Sequence, residues 1–167
     1  RGNASAAVDG DPATAWIAPE PTDSKSRRPT LTVHLSRTTE VTGLRLRRAD
    51  GYPAAPEKVS VDLGDGPQRV DVGRDGDVAL NPARTRTVKI TVTDTEDLLD
   101  TNDLGFTTRA PVGLSEVQVI GPRGPVDSAS FDPDRPVVIG CDTDPAGDYG
   151  LGLTASGRLI RLQVKTT

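Results

Sequence analysis

Three oxygen-bearing side chains stand close together near the start of the chain, at Asp9, Asp11 and Thr14. Gly10 and Pro12 lie between them and favour a tight turn that leaves backbone carbonyls exposed. Such a turn can bend several oxygens around one hard cation, and calcium takes about six to eight oxygen ligands. The same residues also suit an Asx turn, in which carboxylates accept hydrogen bonds from nearby backbone N–H groups. The residues by themselves leave both interpretations open.

No other group of side chains indicates catalysis. The single histidine, His34, alternates with apolar residues and is predicted to lie on the solvent-exposed face of a strand. The acidic residues between positions 94 and 103 could supply the paired carboxylates of a glycosidase, but acidic loop residues are more often simply solvated. No serine stands where a nucleophile–histidine–acid arrangement would need it. The sequence therefore predicts no catalytic site.

Alternation of apolar and polar residues is the dominant pattern of the chain. This alternation is typical of strands with one buried and one solvent-exposed face, as in antiparallel sheets packed face to face. The apolar positions of the predicted strands are Leu31, Val33, Leu35, Leu44, Leu46, Val59, Val61, Leu63, Val70, Val72, Val78, Leu80, Val88, Ile90, Val92, Val117 and Val119. Turn signals stand at 50–51, 64–67, 73–76 and 81–82. The sequence predicts an all-β protein, an antiparallel β-sandwich.

The pattern changes near residue 122, where Gly and Pro interrupt it at 121–125 and again at 131–136. We predict a sandwich over 1–122 and additional strands over 123–167, which either complete the sandwich or begin a second β domain. The only cysteine, Cys141, is expected to be a buried small apolar residue or to pair with a partner outside this sequence.

Composition excludes several function classes. The net charge is −4 with both signs interspersed, and no basic stripe of the kind that nucleic-acid binding requires is present. No apolar run approaches the roughly 20 residues of a membrane span, so no direct membrane insertion by this stretch is expected. Methionine is absent and the chain starts at Arg1, which predicts a piece of a longer protein. The excess of arginine over lysine is typical of a GC-rich bacterial source.

Two separated motifs carry a resemblance to a known family. Residues 7–16 read Ala-Val-Asp-Gly-Asp-Pro-Ala-Thr-Ala-Trp, and residues 113–119 read Gly-Leu-Ser-Glu-Val-Gln-Val. In this order and at this spacing they resemble the N-terminal loop and last strand of the discoidin, or factor V/VIII type C, superfamily, which includes many galactose-type carbohydrate-binding modules. The motifs bracket residues 1–121. The resemblance implies a jelly-roll, galactose-binding-domain-like sandwich.

The resemblance also implies a structural calcium ion that ties the N-terminal loop to the last strand. By position, the side chains of Asp9, Thr14 and Glu116 would be ligands. The backbone carbonyls of Ala6, Asp11, Thr14 and Ser115 would complete the shell. Trp16 is then expected in the core beneath the loop rather than at a sugar.

Members of this superfamily bind ligands with loops at one end of the sandwich, here 17–29, 47–57 and 95–112. A sugar site needs an apolar surface and a few convergent polar groups. The residues that could supply them are Arg48, Asp50, Tyr52, Asn102, Phe106 and Arg109. The alternative is that these are ordinary solvated loop residues.

The second half of the chain, with a Phe-x-Pro-x-x-Pro segment and a predicted strand ending in Cys141, resembles the periplasmic region of large actinobacterial arabinofuranosyltransferases of the AftD type. This implies a non-catalytic, extracytoplasmic module of a membrane-embedded parent that binds cell-wall polysaccharide, arabinan or galactan. Three alternatives stay open: a structural or protein–protein module of the same fold, an accessory module of a secreted glycoside hydrolase, and a stand-alone enzyme.

Overall fold

The computed structural model describes residues 4–18, 28–49, 53–101 and 103–126, together with the backbone of two strands at 150–153 and 159–162. A 3-10 helix covers Ala4–Ala7. The strands are β1 (Trp16–Ile17), β2 (Thr30–Arg47), β3 (Pro56–Asp62), β4 (Pro67–Asp71), β5 (Asp77–Thr95), β6 (Leu99–Thr101), β7 (Thr107–Arg109), β8 (Gly113–Leu114), β9 (Glu116–Gly121), β10 (Gly124–Val126), β11 (Gly150–Leu153) and β12 (Leu159–Leu162). The part of the chain described here contains no helix long and apolar enough to cross a membrane.

The chain divides into two compact units, Arg1–Ser130 and Phe131–Thr167. The first unit holds an antiparallel sheet in the order β10-β9-β2-β5-β3-β4 and two small pairs, β1-β8 and β6-β7. The second unit holds the antiparallel pair β11-β12. Strand β10 lies within the predicted additional region 123–167, yet it pairs with β9. The predicted domain boundary near residue 122 stays a prediction.

Strands β2 and β5 are the two longest strands and lie at the centre of the six-stranded sheet. They pair antiparallel along their length, with a register shift between His34 and Thr39. Leu31 and Leu35 before this shift, and Leu44 and Leu46 after it, are all buried in the same core. Both halves of β2 therefore contribute to one core, and the buried positions change from odd to even residue numbers across the irregular segment.

The core confirms the predicted pattern. Of the apolar positions named from alternation, all are buried except Val70 and Val72, which are half-buried. Trp16 is 6% exposed and pairs with Leu114, so it belongs to the core as expected. His34 is exposed, with its Nδ1 3.4 Å from the Thr87 hydroxyl, as predicted for a wet strand face. Burying each large apolar side chain stabilises the fold by about 1.5–3 kcal/mol.

The turn predicted at Asn81-Pro82 is wrong, because both residues lie inside β5. Val41 and Gly43 of β2 pair with Ala83 and Ala79, so the partner strand accommodates two extra residues at this point. The side chain of Gln68 compensates for the interrupted ladder. Its Oε1 accepts a hydrogen bond from the Asn81 N–H at 2.7 Å, and its Nε2 donates to the Asn81 carbonyl at 3.2 Å. A proline at a bulge leaves the strand intact.

Candidate functional site

The N-terminal loop, residues 6–15, contains the predicted Asx turns. The carboxylate of Asp9 accepts a hydrogen bond from the Asp11 N–H at 2.9 Å through Oδ1. The carboxylate of Asp11 accepts one from the Ala13 N–H, also at 2.9 Å. The Asp11 side chain therefore stabilises the turn by this hydrogen bond. The Asp11 group that contacts the Thr14 hydroxyl is the backbone carbonyl.

Several oxygens of this loop converge on the Thr14 hydroxyl. Its Oγ1 lies 2.8 Å from Asp9 Oδ2 and 3.1 Å from the carbonyl oxygen of Asp11. It also lies 3.4 Å from the carbonyl oxygen of Ala6. A hydroxyl has one proton, so it cannot donate to three acceptors at once. The Asp11 carbonyl also accepts from the Thr14 N–H at 3.1 Å, so the hydroxyl proton is best placed for Asp9, its shortest contact.

Glu116, at the start of β9, reaches this loop from the other end of the sequence. Its Oε2 accepts a hydrogen bond from the Gly10 N–H at 3.1 Å. Partial burial raises the pKa of the Glu116 carboxyl above its usual value, and the nearby negative charge of Asp9 raises it further. The Gly10 hydrogen bond and the charge of Arg47 act in the opposite direction but do not cancel these effects.

Ser115 anchors the end of β2 beside the same loop. Its buried hydroxyl donates to the carbonyl of Arg48 at 3.1 Å, and its N–H donates to the carbonyl of Arg47 at 2.9 Å. Among the described residues no three His, Cys, Asp or Glu side chains come together. The donor set is two carboxylates with a hydroxyl and carbonyls, which fits calcium and does not fit zinc.

A cavity of about 690 Å³ lies beside this loop, at the end of β2. Residues 46–48, segment 55–57, the turn 72–76, Glu96, Pro12 and Ser115 line it. Two hydrogen bonds between Ala55 and Glu96 hold its rim, at 2.9 Å to the Glu96 carboxylate and at 3.0 Å between the backbones. The turn is held against β2 by the Leu46 N–H, which donates to the Gly76 carbonyl at 2.8 Å.

The cavity wall carries charges of both signs. The arginines are Arg47, Arg48 and Arg74, and the carboxylates are Glu57, Asp75 and Glu96. Within the described residues no ion pair engages the three guanidinium groups. Guanidinium donors facing carboxylate acceptors, over a wall that includes apolar side chains, form a surface suited to a polyhydroxylated ligand.

The predicted sugar-binding residues do not all meet at this cavity. Arg48 lines it, whereas Arg109 and Phe106 do not. Arg109 forms an ion pair with Asp97 at 2.9 Å. Phe106 is 66% exposed and lies between β6 and β7. The remaining three predicted residues, Asp50, Tyr52 and Asn102, lie outside the described residues.

The sequence did not indicate that the turn 73–76 belongs to this site. Arg74 and Asp75 stand at the tip of a tight turn, where charged residues are usually only solvated. These two residues line the cavity because the turn is held against β2 by the hydrogen bond from the Leu46 N–H to the Gly76 carbonyl. No local sequence signal encodes that contact.

The fold is that of solved carbohydrate-binding modules. The family 32 module of NanJ from C. perfringens, solved in complex with galactose, superposes with a TM-score of 0.51 at 16% identity, over 71% of this chain and 84% of that one. This likeness shows the fold, an antiparallel β-sandwich of the galactose-binding-domain type, as predicted.

Residues 1–130 match the family described as arabinofuranosyltransferase D, third carbohydrate-binding module, and the chain belongs to this family. It is 40% identical, over 99% of its length, to an alpha-(1->3)-arabinofuranosyltransferase of Mycobacterium tuberculosis. A cryo-EM structure of arabinofuranosyltransferase AftD from mycobacteria superposes with a TM-score of 0.71 at 33% identity, over 97% of this chain. The chain spans only 12% of the first protein and 13% of the second. The match confirms that this stretch is an accessory module and not a catalytic domain.

Proposed function

We propose that this module binds cell-wall polysaccharide, arabinan or galactan, for a larger arabinofuranosyltransferase on the extracytoplasmic side of the membrane. The observation that carries the proposal is the cavity at the end of β2, which contains the predicted residue Arg48 and charges of both signs. Family membership supports the carbohydrate class of the ligand. The relatives named above support the activity of the parent.

The chemistry of the cavity suits a neutral sugar. Guanidinium groups of Arg47, Arg48 and Arg74 donate hydrogen bonds to sugar hydroxyls, and the carboxylate of Glu57 accepts them. Apolar lining from Leu46 and other residues offers a surface for the C–H faces of the ring. The described lining residues carry three arginines and three carboxylates, and this balance favours an uncharged polyol over a charged ligand.

Weak binding is sufficient for this role. A module joined to its enzyme raises the effective concentration of polymer near the active site to the millimolar range for a short linker. The module then acts by positioning the polymer, with no bond made or broken on it.

We also propose that the N-terminal loop holds a structural calcium ion. Asp9, Thr14 and Glu116 would supply side-chain oxygens, and Ala6, Asp11, Thr14 and Ser115 would supply carbonyls. The support is the excess of oxygen acceptors around the Thr14 hydroxyl. Calcium would neutralise the repulsion between the carboxylates of Asp9 and Glu116 and tie together the two ends of the sandwich. The cavity would gain rigidity, because Pro12 and Ser115 line it.

The experiment is an NMR titration of the 167-residue chain with arabinan and galactan oligosaccharides, first with calcium and then with a chelator. We expect shifts confined to residues 46–48, 55–57 and 72–76. Replacing either of two cavity arginines, Arg48→Gln or Arg74→Gln, should weaken binding by about 10- to 100-fold, since a charge-assisted hydrogen bond is worth about 1.5–3 kcal/mol. Arg69→Gln, which removes an exposed arginine of β4 that does not line this cavity, is the matched control.

Unchanged spectra with both sugars, on a folded chain, would overturn the glycan proposal. A second candidate would then be favoured, a protein–protein module of the same fold. The large apolar residues that are exposed in the described part of the chain all lie on the hairpin of β6 and β7 or its tip, at Leu99, Leu104 and Phe106. Exposed apolar side chains grouped in this way are typical of interaction surfaces.

A further inference from the structure

A second cavity, of about 810 Å³, lies at the bend of β2, away from the end that carries Arg47 and Arg48. Residues 36–40 form one side of it, Arg84 of β5 another, and residues 122–126 the third. The first two segments belong to the neighbouring strands β2 and β5. Residues 122–126 form the turn after β9 and strand β10, and β9 is the other neighbour of β2. The cavity shares no lining residue with the proposed sugar cavity.

The fold brings three arginines to this cavity from three elements. Arg37 stands at the bend, where its carbonyl accepts a hydrogen bond from the Thr39 hydroxyl at 3.2 Å. Arg84 lies directly opposite Glu40 in the register of β2 and β5. Arg123 sits in the turn between β9 and β10, and this turn lies close to β2. A Cβ at Gly121 would come within 2.9 Å of the Glu40 carbonyl oxygen.

The charge of this cavity is unbalanced. Among the described residues that line it are three arginines and one carboxylate, that of Glu40, so these residues carry a formal charge of +2. The whole chain, in contrast, carries −4. Among the described residues none of these four side chains forms an ion pair, although Glu40 and Arg84 are cross-strand neighbours. The guanidinium groups are thus available to an anion from outside.

We propose that the cavity at the bend of β2 binds a phosphate group, either free or carried as a phosphate ester by a larger molecule. A guanidinium group presents its N–H donors in a planar fork that matches two oxygens of a phosphate. The hydroxyls of Ser36 and Thr38 line the same cavity and supply neutral donors. Because the arginines are exposed, binding is weak, in the millimolar range for a single phosphate, and falls as salt screens the charges.

The test is an NMR titration of the 167-residue chain at low ionic strength with inorganic phosphate, then with glycerol phosphate, and with chloride at equal ionic strength as reference. We expect saturable shifts at 36–40, 84 and 122–125. The double variant Arg84→Gln/Arg123→Gln should weaken phosphate binding at least about tenfold. Arg69→Gln, which removes the same charge elsewhere, should leave it unchanged.

A further variant separates binding from an effect on folding. Glu40→Gln removes the one carboxylate among the described lining residues and should tighten phosphate binding by about two- to fivefold. Equal shifts with phosphate and chloride, or identical phosphate affinity in the double variant, would overturn the proposal. So would weaker binding in Glu40→Gln.

Vesicles distinguish the two sources of the phosphate. Co-sedimentation with vesicles that contain an anionic phospholipid, lost in the Arg84→Gln/Arg123→Gln variant and absent with purely zwitterionic vesicles, would identify a lipid headgroup. Phosphate and glycerol phosphate binding without vesicle binding would identify a soluble or glycan-attached phosphate. Either result supports the site, and neither depends on sugar binding at the other cavity.

Discussion

The backbone N–H of Gly10 donates to the Glu116 carboxylate at 3.1 Å, which joins residues 106 positions apart. Partial burial raises the pKa of Glu116, and the negative charge of Asp9 raises it further. The hydrogen bond that joins the N-terminal loop to β9 therefore lies beside two carboxylates of like charge. A divalent cation would turn that repulsion into an attraction, and this makes Glu116 the sharpest test of the calcium proposal.

Glu116→Gln should have opposite consequences in the absence and in the presence of calcium. In a chelator at pH 7 the variant should be at least as stable as the wild type, because the amide oxygen still accepts from Gly10 and the repulsion with Asp9 is gone. With calcium in large excess over its Kd, the wild type should gain about 2–4 kcal/mol and the variant much less. Thermal unfolding in both buffers measures this. Asp65→Asn, at an exposed turn, is the control. An equal calcium gain in wild type and Glu116→Gln would contradict the assignment.

The raised pKa of Glu116 predicts a pH dependence for the calcium-free protein. Because the folded state holds this proton more tightly than the unfolded state, ionising the group costs stability. The free energy of unfolding should therefore fall as the pH rises from the ordinary glutamate pKa through the raised pKa of Glu116. Urea unfolding between about pH 4 and pH 7 in a chelator, compared with Glu116→Gln, isolates this contribution. A wild-type curve that runs parallel to the variant curve over this range would contradict the prediction.

Gly76→Ala should destabilise the protein and distort the sugar cavity. Gly76 has a φ of +80°, and a Cβ there would lie 2.0 Å from the Leu46 carbonyl oxygen. Gly105 has the same φ of +80° with nothing within 4 Å of the added Cβ, so Gly105→Ala carries conformational strain alone. We expect a loss of about 1–2 kcal/mol for Gly105→Ala and a clearly larger loss for Gly76→Ala. If urea unfolding gave the same loss of unfolding free energy for both variants, the turn would not be in close contact with β2.

Leu35→Ala tests the core where β2 approaches its bend. Leu35 is 1% exposed, and its truncation should cost about 2–5 kcal/mol. Leu104→Ala removes the same atoms from a side chain that is 81% exposed, and it should change the free energy of unfolding by no more than about 0.5 kcal/mol. A small loss for Leu35→Ala would mean that the core is loosely packed at this bend.

The strands were predictable because their burial is encoded locally. Leu31, Val33 and Leu35 alternate with polar residues, and this pattern alone determines which face is buried. The continuity of β5 was not predictable, because Asn81-Pro82 has the local chemistry of a turn. The side chain of Gln68, 13 positions earlier, bonds to both backbone groups of Asn81, and the pairing of Ala79 and Ala83 with β2 continues the strand on either side.

The residues of the candidate sites show the same difference between contacts that are local in sequence and contacts that are distant. Thr14 and Asp9 are near in sequence, so their contact at 2.8 Å follows from a tight turn. Arg48 could be named because it ends a strand and opens a loop, the usual place for ligand contacts. Arg74 could not be named from the sequence, because its place in the cavity depends on how the turn 73–76 packs against β2.

Strand β2 carries both cavities, one at its bend and the other at its C-terminal end. Arg47 stands seven positions after Glu40, a path of at most about 25 Å along a strand that lies between two neighbours in the sheet. If both proposals hold, a phosphate group bound at the bend and a sugar bound at the C-terminal end would be kept at a fixed spacing, because one continuous strand carries both. The spacing of two chemically different groups on a single ligand would then decide whether it can occupy both cavities at once.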